Sequence, residues 1–315
     1  MRFLVTGGAG FIGSNIVEEL VRQKEQVRII DNFSTGKAEN VEPFRTDVEL
    51  IEGDIRDYEA VREAMSGIDV VLHQAALPSV PRSISDPVTS NEVNVTGTLN
   101  ILVAARENGV RRVVYASSSS VYGDNPKLPK EEGMIPNPLS PYAVSKLAGE
   151  KYCQVFSNIY NLETVSLRYF NVFGRRQDPN SQYSAVIPKF IKAMMNDSSP
   201  VIYGDGEQSR DFTYVKNVVS ANILAARADC KTGIVMNCAC SGQITLNELV
   251  EKINMILGKK IEPVYEAPRP GDIKHSFASI EVAEKNLGYR PVVDFDSGIR
   301  ETVKWYQSVL SIKAG

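Results

Sequence analysis

Short apolar runs alternate with segments of helical period through the first 170 residues of this 315-residue chain. Residues 2–6, 27–30, 48–51, 69–73, 112–116 and 164–168 have strand length and strand composition. Between them, 11–22, 57–65, 93–107 and 142–160 carry apolar residues at helical spacing. Pro141 suits the first turn of the last of these. Strands that alternate with helices pair in parallel through right-handed crossovers. Beyond residue 170 the rhythm breaks. Proline, glycine and charge cluster at 174–180, 204–210 and 267–272, with helices expected at 184–195, 215–228, 246–257 and 298–309.

The first turn narrows the fold class. Gly7-Gly8-Ala9-Gly10-Phe11-Ile12-Gly13 sits between a strand and a helix. Gly7 permits a tight turn, Gly10 lets backbone approach a pyrophosphate, and Gly13 allows close helix–strand packing. The helix start then offers free N–H groups to phosphate. The expected fold is α/β: a Rossmann-type doubly wound parallel sheet with a smaller mixed α/β C-terminal substrate domain. Residues 1–170 would form the first domain, with a returning segment near 212–238, and 171–315 the second. Asp31 ends the second strand, where a carboxylate holds ribose hydroxyls and repels a 2′-phosphate. No arginine follows it at once and Lys37 is the nearest downstream cation, so NAD is expected rather than NADP. Asp54 has two readings: a partner for adenine beside Ile55, or a turn or helix-capping carboxylate.

Bulk numbers exclude other classes. Hydrophobic residues are 43% and charged residues 23%, as in ordinary globular proteins. A net charge of −3 gives no reason to expect nucleic acid or an anionic membrane. No apolar run approaches the roughly 20 residues of a membrane span. The first residues lack a signal-peptide layout, and a cytoplasmic protein is expected. Cys153, Cys230, Cys238 and Cys240 read as reduced thiols. With only His73 and His275 to join them, no metal site is expected.

Tyr142 and Lys146 are four residues apart and share a helix face. A nearby ammonium favours phenolate, so the tyrosine is expected to be more acidic than usual and to accept a proton. A serine run, Ser117-Ser118-Ser119-Ser120, precedes Val121-Tyr122-Gly123. Ser118 alone would read as a strand-end hydroxyl capping a turn.

The ordered set Gly7-x-x-Gly10-x-x-Gly13, Asp31-Asn32, Gly53-Asp54-Ile55, His73-Gln74-Ala75-Ala76, Asn94-Val95-Thr96-Gly97-Thr98, the serine run, Tyr142-x-x-x-Lys146 and Leu167-Arg168-Tyr169-Phe170-Asn171 runs along the chain. It resembles the extended short-chain dehydrogenase/reductase family, and within it the UDP-hexose 4-epimerases. The resemblance implies that Tyr142 is the general base, Lys146 its partner and a ligand of the nicotinamide ribose, and Ser118 a proton relay. It places NAD against Gly7, Gly10, Phe11, Ile12, Gly13, Asp31, Asn32, Ser34, Thr35, Gly36, Asp54, Ile55, Gln74, Ala75, Ala76 and Phe170. Asn94 is implied to support the catalytic helix.

For the sugar nucleotide, the resemblance implies Asn171 and the arginines Arg210 and Arg269 on phosphate. Asp272 would hold ribose hydroxyls, Tyr203 would stack on the pyrimidine, and Val186 and Val201 would lie alongside. Ser119 and Ser120 join Ser118 at the sugar. Ser276 stands at a position similar to one where a bulky tyrosine marks restriction to plain hexoses. Ser79 and Gln177 lie in stretches similar to the branch acting on UDP-N-acetylhexosamines. The implied activity is inversion at C4 of a UDP-hexose through a 4-keto sugar, most of all UDP-GlcNAc/UDP-GalNAc, with UDP-Glc/UDP-Gal also accepted. The alternatives are a UDP-glucose 4-epimerase proper, and a nucleotide-sugar reductase or decarboxylase on the same scaffold. A 4,6-dehydratase would need an acid and a base where Ser119 and Ser120 stand. A silent NAD-sensing protein would tend to lack Tyr142 or Lys146. The family also implies a homodimer through a four-helix bundle of 93–107 and 142–160. Leu99, Leu102, Val103 and Val155 could belong to that seam or to the core.

Overall fold

The computed structural model describes residues 1–179, 185–230, 232–268 and 274–312. Its first part contains β1 (Arg2–Thr6), α1 (Phe11–Arg22), β2 (Gln26–Asp31), β3 (Val48–Glu52), α2 (Tyr58–Ala64) and β4 (Val70–His73). It continues with α3 (Val80–Ser85), α4 (Pro87–Asn91), α5 (Gly97–Glu107), β5 (Arg112–Ser118), α6 (Pro141–Tyr160) and β6 (Glu163–Tyr169). Then follow β7 (Val172–Phe173), α7 (Val186–Met195), β8 (Val201–Tyr203), β9 (Ser209–Arg210), β10 (Thr213–Tyr214), α8 (Val215–Arg227) and β11 (Ile234–Cys238). The chain closes with β12 (Ile244–Thr245), α9 (Leu246–Leu257), β13 (Val264–Glu266), β14 (His275–Ser276), α10 (Glu281–Leu287) and α11 (Phe295–Ile312).

Seven strands form one parallel sheet in the order β11-β6-β5-β4-β1-β2-β3. Chain order reverses between β1 and β4, and Thr6 at the end of β1 pairs with both Ile30 and His73. A crevice opens where the two halves wind apart, at the carboxyl edge. Side-chain alternation along β1 divides the core. Phe3 and Val5 pack with Ile16, Leu20 and Val218 on one face, under α1 and α8. Leu4 packs with Val61, Ile101, Leu102 and Phe156 on the other, under α2, α5 and α6. A third cluster unites Phe173, Phe190, Ile202, Leu249, Ile253 and Tyr306 in the C-terminal part. Among the described residues, no helix is long and apolar enough to cross a membrane.

The helix expected over 93–107 differs. Glu92–Thr96 forms a π-helical stretch that runs into α5. Within it, Asn94 turns inward, its amide bonding both backbone groups of Leu77. Residues 80–91, where the sequence announces no element, form α3 and α4. Each has proline in its first turn, and Ser79 and Asp86 cap their starts. Of the four undivided residues, Leu102 is fully buried, Leu99 and Val103 pack partly against the core, and Val155 is exposed.

Candidate active site

The glycine turn leaves β1 at the sheet reversal. Gly7 has φ +68°, in the region that favours glycine, and donates its N–H to Ile30 O at 2.8 Å. A Cβ on Gly7 would lie 2.8 Å from Ala75 backbone, and one on Gly13 would lie 2.1 Å from Gly7 O. α1 begins at Gly10 with no side-chain cap and no acidic residue in its first turn. An uncapped helix start behind a close-packed glycine turn is a cradle for a pyrophosphate. The residues present therefore fit a dinucleotide.

Asp31 faces this cradle. Its Oδ2 accepts the Ala9 N–H at 2.9 Å and its Oδ1 the Phe33 N–H at 2.8 Å. Burial raises its pKa. Each oxygen keeps a lone pair for a ribose hydroxyl. Asp54 is held by the Arg56 guanidinium and by Asn32, with its pKa lowered to about 2. Asp57, not Asp54, caps α2. One cleft, with a volume of about 220 Å³, is lined by Gly7, Gly10, Phe11, Ile12, Gly13, Asp31, Asn32, Ser34, Thr35, Asp54, Ile55, Gln74, Ala75, Ala76, Tyr142 and Lys146.

Two expected cofactor residues are not on its wall. Gly36 sits behind the turn, where a Cβ would meet Asp31 Oδ1 at 2.8 Å. Phe170 is fully buried with Val121, Tyr122, Ala239 and Ala278, its ring 6.0 Å from that of Tyr122. Tyr169 lines the cleft instead. Successive residues leaving a strand point to opposite sides, and the apolar Phe170 takes the buried one.

Tyr142 and Lys146 are brought together, but not as expected. Lys146 is buried, and its Nζ donates to Ala116 O at 2.9 Å, standing 5.9 Å from the Tyr142 ring centroid. Burial lowers its pKa to about 8. Burial of the phenol raises the Tyr142 pKa above 10, against a smaller lowering by the Ser118 hydroxyl. The expected depression is thus corrected: loss of hydration outweighs a cation whose proton points at a carbonyl. Ser118 takes its turn-capping reading and lies near Tyr142. It accepts from Ser120 N at 3.2 Å and Ser120 Oγ at 2.9 Å, capping the turn, while it meets the phenol. Ser119 and Ser120 are half-buried beside it.

Polar chains brace this side. Thr98 gives its single hydroxyl proton to Asn94 O, so it accepts from His73 Nε2 at 2.9 Å. His73 Nδ1 then accepts from Thr6 Oγ1 at 2.7 Å, which fixes a neutral imidazole. Burial holds its pKa at about 3. One turn beyond Lys146, Glu150 makes a bidentate buried pair with Arg168, both bonds 2.8 Å, and accepts from Ser117. α6 is thereby fastened to β5 and β6.

A second cleft gathers Asn171, Val186, Val201, Tyr203 and Arg210 with Gln208, Phe190 and Phe212. Asn171, at φ +36°, donates to Asp211 O at 3.1 Å. Ser276 pairs with Arg210 across β14 and β9 but is not on the cleft wall. Ser79, at φ +101°, caps α3, and Gln177 donates to Val172 O while its buried Oε1 has no partner among the described residues. Among the described residues, neither of these is on the wall of either cleft. Arg269 and Asp272 lie outside the described residues. Sequence reasoning misses Asp211. Its fully buried carboxylate accepts the Cys240 N–H at 2.9 Å and the Ala278 N–H at 3.3 Å, with burial lifting its pKa to about 6. The available signal is alternation: with Arg210 in the cleft, its neighbour must point inward.

Comparison with known proteins agrees with this architecture. The profile of the "NAD dependent epimerase/dehydratase family" matches residues 3–239. A "Putative UDP-glucose 4-epimerase" of Methanocaldococcus jannaschii is 40% identical over 307 residues, 97% of this chain and 98% of that protein. The solved "UDP-N-acetylglucosamine 4-epimerase from Methanobrevibacter ruminantium M1 in complex with UDP-N-acetylmuramic acid" has a TM-score of 0.93 and 46% identity over 98% of each chain. The UDP-glucose 4-epimerase of Thermus thermophilus, solved in complex with NAD, has a TM-score of 0.88 and 39% identity, over 98% of this chain and 99% of that one. A glycine cradle, an acidic second-strand end and a Tyr–Lys pair on one cleft, in a chain matched along nearly its whole length, place this protein in the NAD dependent epimerase/dehydratase family.

Proposed function

We propose that this chain is a UDP-sugar 4-epimerase, acting on UDP-GlcNAc/UDP-GalNAc and also on UDP-Glc/UDP-Gal. The observation that carries the reading is the placement of Tyr142 and Lys146 on the same cleft as the glycine cradle, with the Ser118 hydroxyl near enough to the phenol to lower its pKa against the effect of burial. Gly7, Gly10, Gly13 and the start of α1 would hold the NAD pyrophosphate, Asp31 the adenosine ribose and Lys146 the nicotinamide ribose. Bound NAD supplies a reversible hydride acceptor and, when oxidised, a cationic ring that favours phenolate. Tyr142 takes the proton of the C4 hydroxyl, directly or through Ser118, which can donate and accept at once. For inversion, the hydride that leaves C4 for NAD would have to come back to the opposite face of the 4-keto sugar, which requires room and a fixed nucleotide. Tyr203, Arg210 and Asn171, with Arg269 and Asp272, would anchor the UDP while the sugar turns.

The acetylated sugar is proposed on the resemblance: Ser276 stands where a bulky tyrosine would restrict the site, and Ser79 and Gln177 lie in stretches similar to the branch acting on UDP-N-acetylhexosamines. Among the described residues the Gln177 Oε1 has no hydrogen-bond partner. Residues 1–170 with the returning 212–238 would form the cofactor domain and 171–315 the substrate domain. We further propose a homodimer through α5 and α6, where Val144, Val155, Ile159 and Tyr160 are exposed on α6. Sedimentation at the mass of a single chain would contradict that dimer. Incubation of purified protein with UDP-GlcNAc should yield UDP-GalNAc, and no turnover of any UDP-hexose with NAD added would end the reading. Ser276→Tyr should lose the acetylated substrate selectively, and an equal loss on UDP-Glc would refute the gatekeeper role.

A further inference from the structure

Both backbone groups of Tyr142 connect to one short segment, 77–83, the N–H directly and the C=O by way of Ser145 and Asn94. Its N–H, an orphan donor in the first turn of α6, is donated to Ser83 Oγ at 3.0 Å. Its C=O accepts from Ser145 Oγ at 2.8 Å, and Ser145 Oγ in turn accepts from Asn94 Nδ2 at 3.1 Å. Asn94 bonds Leu77 through both backbone groups, at 2.7 and 3.1 Å. Ser83 spends its own proton on Val80 O at 2.8 Å and is fully buried. Among the described residues, the Tyr142 amide is therefore the donor it serves. The local cap, Ser140, serves a different donor, Ala143 N–H. The amide of Tyr142 is thus capped not by its own helix start but by a neighbouring element.

That element borders the site. Leu77 and Pro78 line the cofactor cleft, and Ser79 starts α3 with its backbone at φ +101°. A shift of 77–83 would be transmitted to Tyr142 through two hydrogen-bonded links rather than through loose packing.

Resting on the epimerase reading, we propose that Ser83 is a positioning residue that fixes the Tyr142 phenol against Ser118 and the cofactor cleft. Ser83→Ala keeps the volume nearly unchanged and leaves the Tyr142 amide without its acceptor. Small misplacements of a reacting group cost up to about 100-fold in rate. The expected result is a kcat lower by roughly 10- to 100-fold, with KM for UDP-GlcNAc within about twofold of wild type. Ser83→Thr, which keeps a hydroxyl, is expected to recover most of that loss. The phenol itself is read without turnover by NMR titration of ring-labelled Tyr142, its signal assigned with Tyr142→Phe. In Ser83→Ala its midpoint should move from the raised wild-type position towards 10 as the ring loosens.

A wild-type kcat in Ser83→Ala overturns the proposal. So does a KM that rises in step with the loss, an unmoved Tyr142 titration, or an alanine variant that does not fold, since a structural role then suffices. Wild-type protein that turns over no UDP-hexose would defeat the functional reading instead. The NMR titration would still decide the clamp.

Discussion

Lys146 loses hydration from its ammonium and gains in return, among the described residues, the Ala116 carbonyl and the nearby rings of Tyr115 and Tyr142. Its pKa of about 8 follows from that burial. The direction of the resulting pH effect is definite. Below about pH 8 the amine is protonated and, on the proposed reading, would offer a charged donor to a ribose hydroxyl; above it the charge is lost. NAD affinity of the apoprotein is therefore expected to fall as pH rises through about 8, by calorimetry across roughly pH 6.5 to 9.5. Lys146→Met should bind weakly at every pH in that range, without the limb. A wild-type affinity that is flat across that range would refute the assignment. The Tyr142–Lys146 pair is legible from its spacing, since residues four apart on a helix share a face. Its acidity is not legible. The sign of a pKa shift depends on how much water each group loses and where Nζ points, and both are set by β5.

α6 carries that pair, and its distance from the sheet is set at Gly149. A Cβ there would lie 2.2 Å from the Tyr115 hydroxyl and 2.4 Å from its ring carbon. Tyr115 is itself fully packed, with its hydroxyl bonded to Lys146 O at 3.4 Å. Gly149→Ala must push helix from strand, displacing Lys146 from Ala116 O. Overpacking of this kind costs about 1–3 kcal/mol. We expect a loss of unfolding free energy of that size, read as a lowered urea midpoint, and a fall in kcat of roughly 10-fold or more, because the pair moves with its helix. An unchanged midpoint with full activity would show that α6 has slack here. Strong periods make β1 to β6 and the long helices legible, apart from small shifts at their ends. α3 and α4 are not, because Pro81 and Pro87 read as turn residues until Ser79 and Asp86 are seen capping behind them. The π-helical stretch is hidden for a similar reason: Asn94 gains its partners from Leu77, which no local pattern announces.

Across the molecule, the site exists because two halves of one sheet wind apart between β1 and β4. The glycine cradle, Asp31 and the Gln74-Ala75-Ala76 stretch all leave strands at that reversal. The cofactor side is therefore readable from strand ends alone. The substrate side is less so, since its cleft is assembled from β7 to β9 and α7, which share no period. Phe170 packs in a small core with Val121, Tyr122, Ala239 and Ala278, while its neighbour Tyr169 takes the cleft wall. β11 joins β6 at the sheet edge from far downstream, a pairing that sequence periodicity does not specify. The central claim is that a hydride leaves C4 and returns to the same carbon from the other face. It is tested most directly with UDP-GlcNAc carrying deuterium at C4. The product UDP-GalNAc should retain that deuterium in full, while Tyr142→Phe slows its formation by about 100-fold or more. Deuterium lost to solvent, or no inversion of any UDP-hexose in the presence of NAD, would contradict the account.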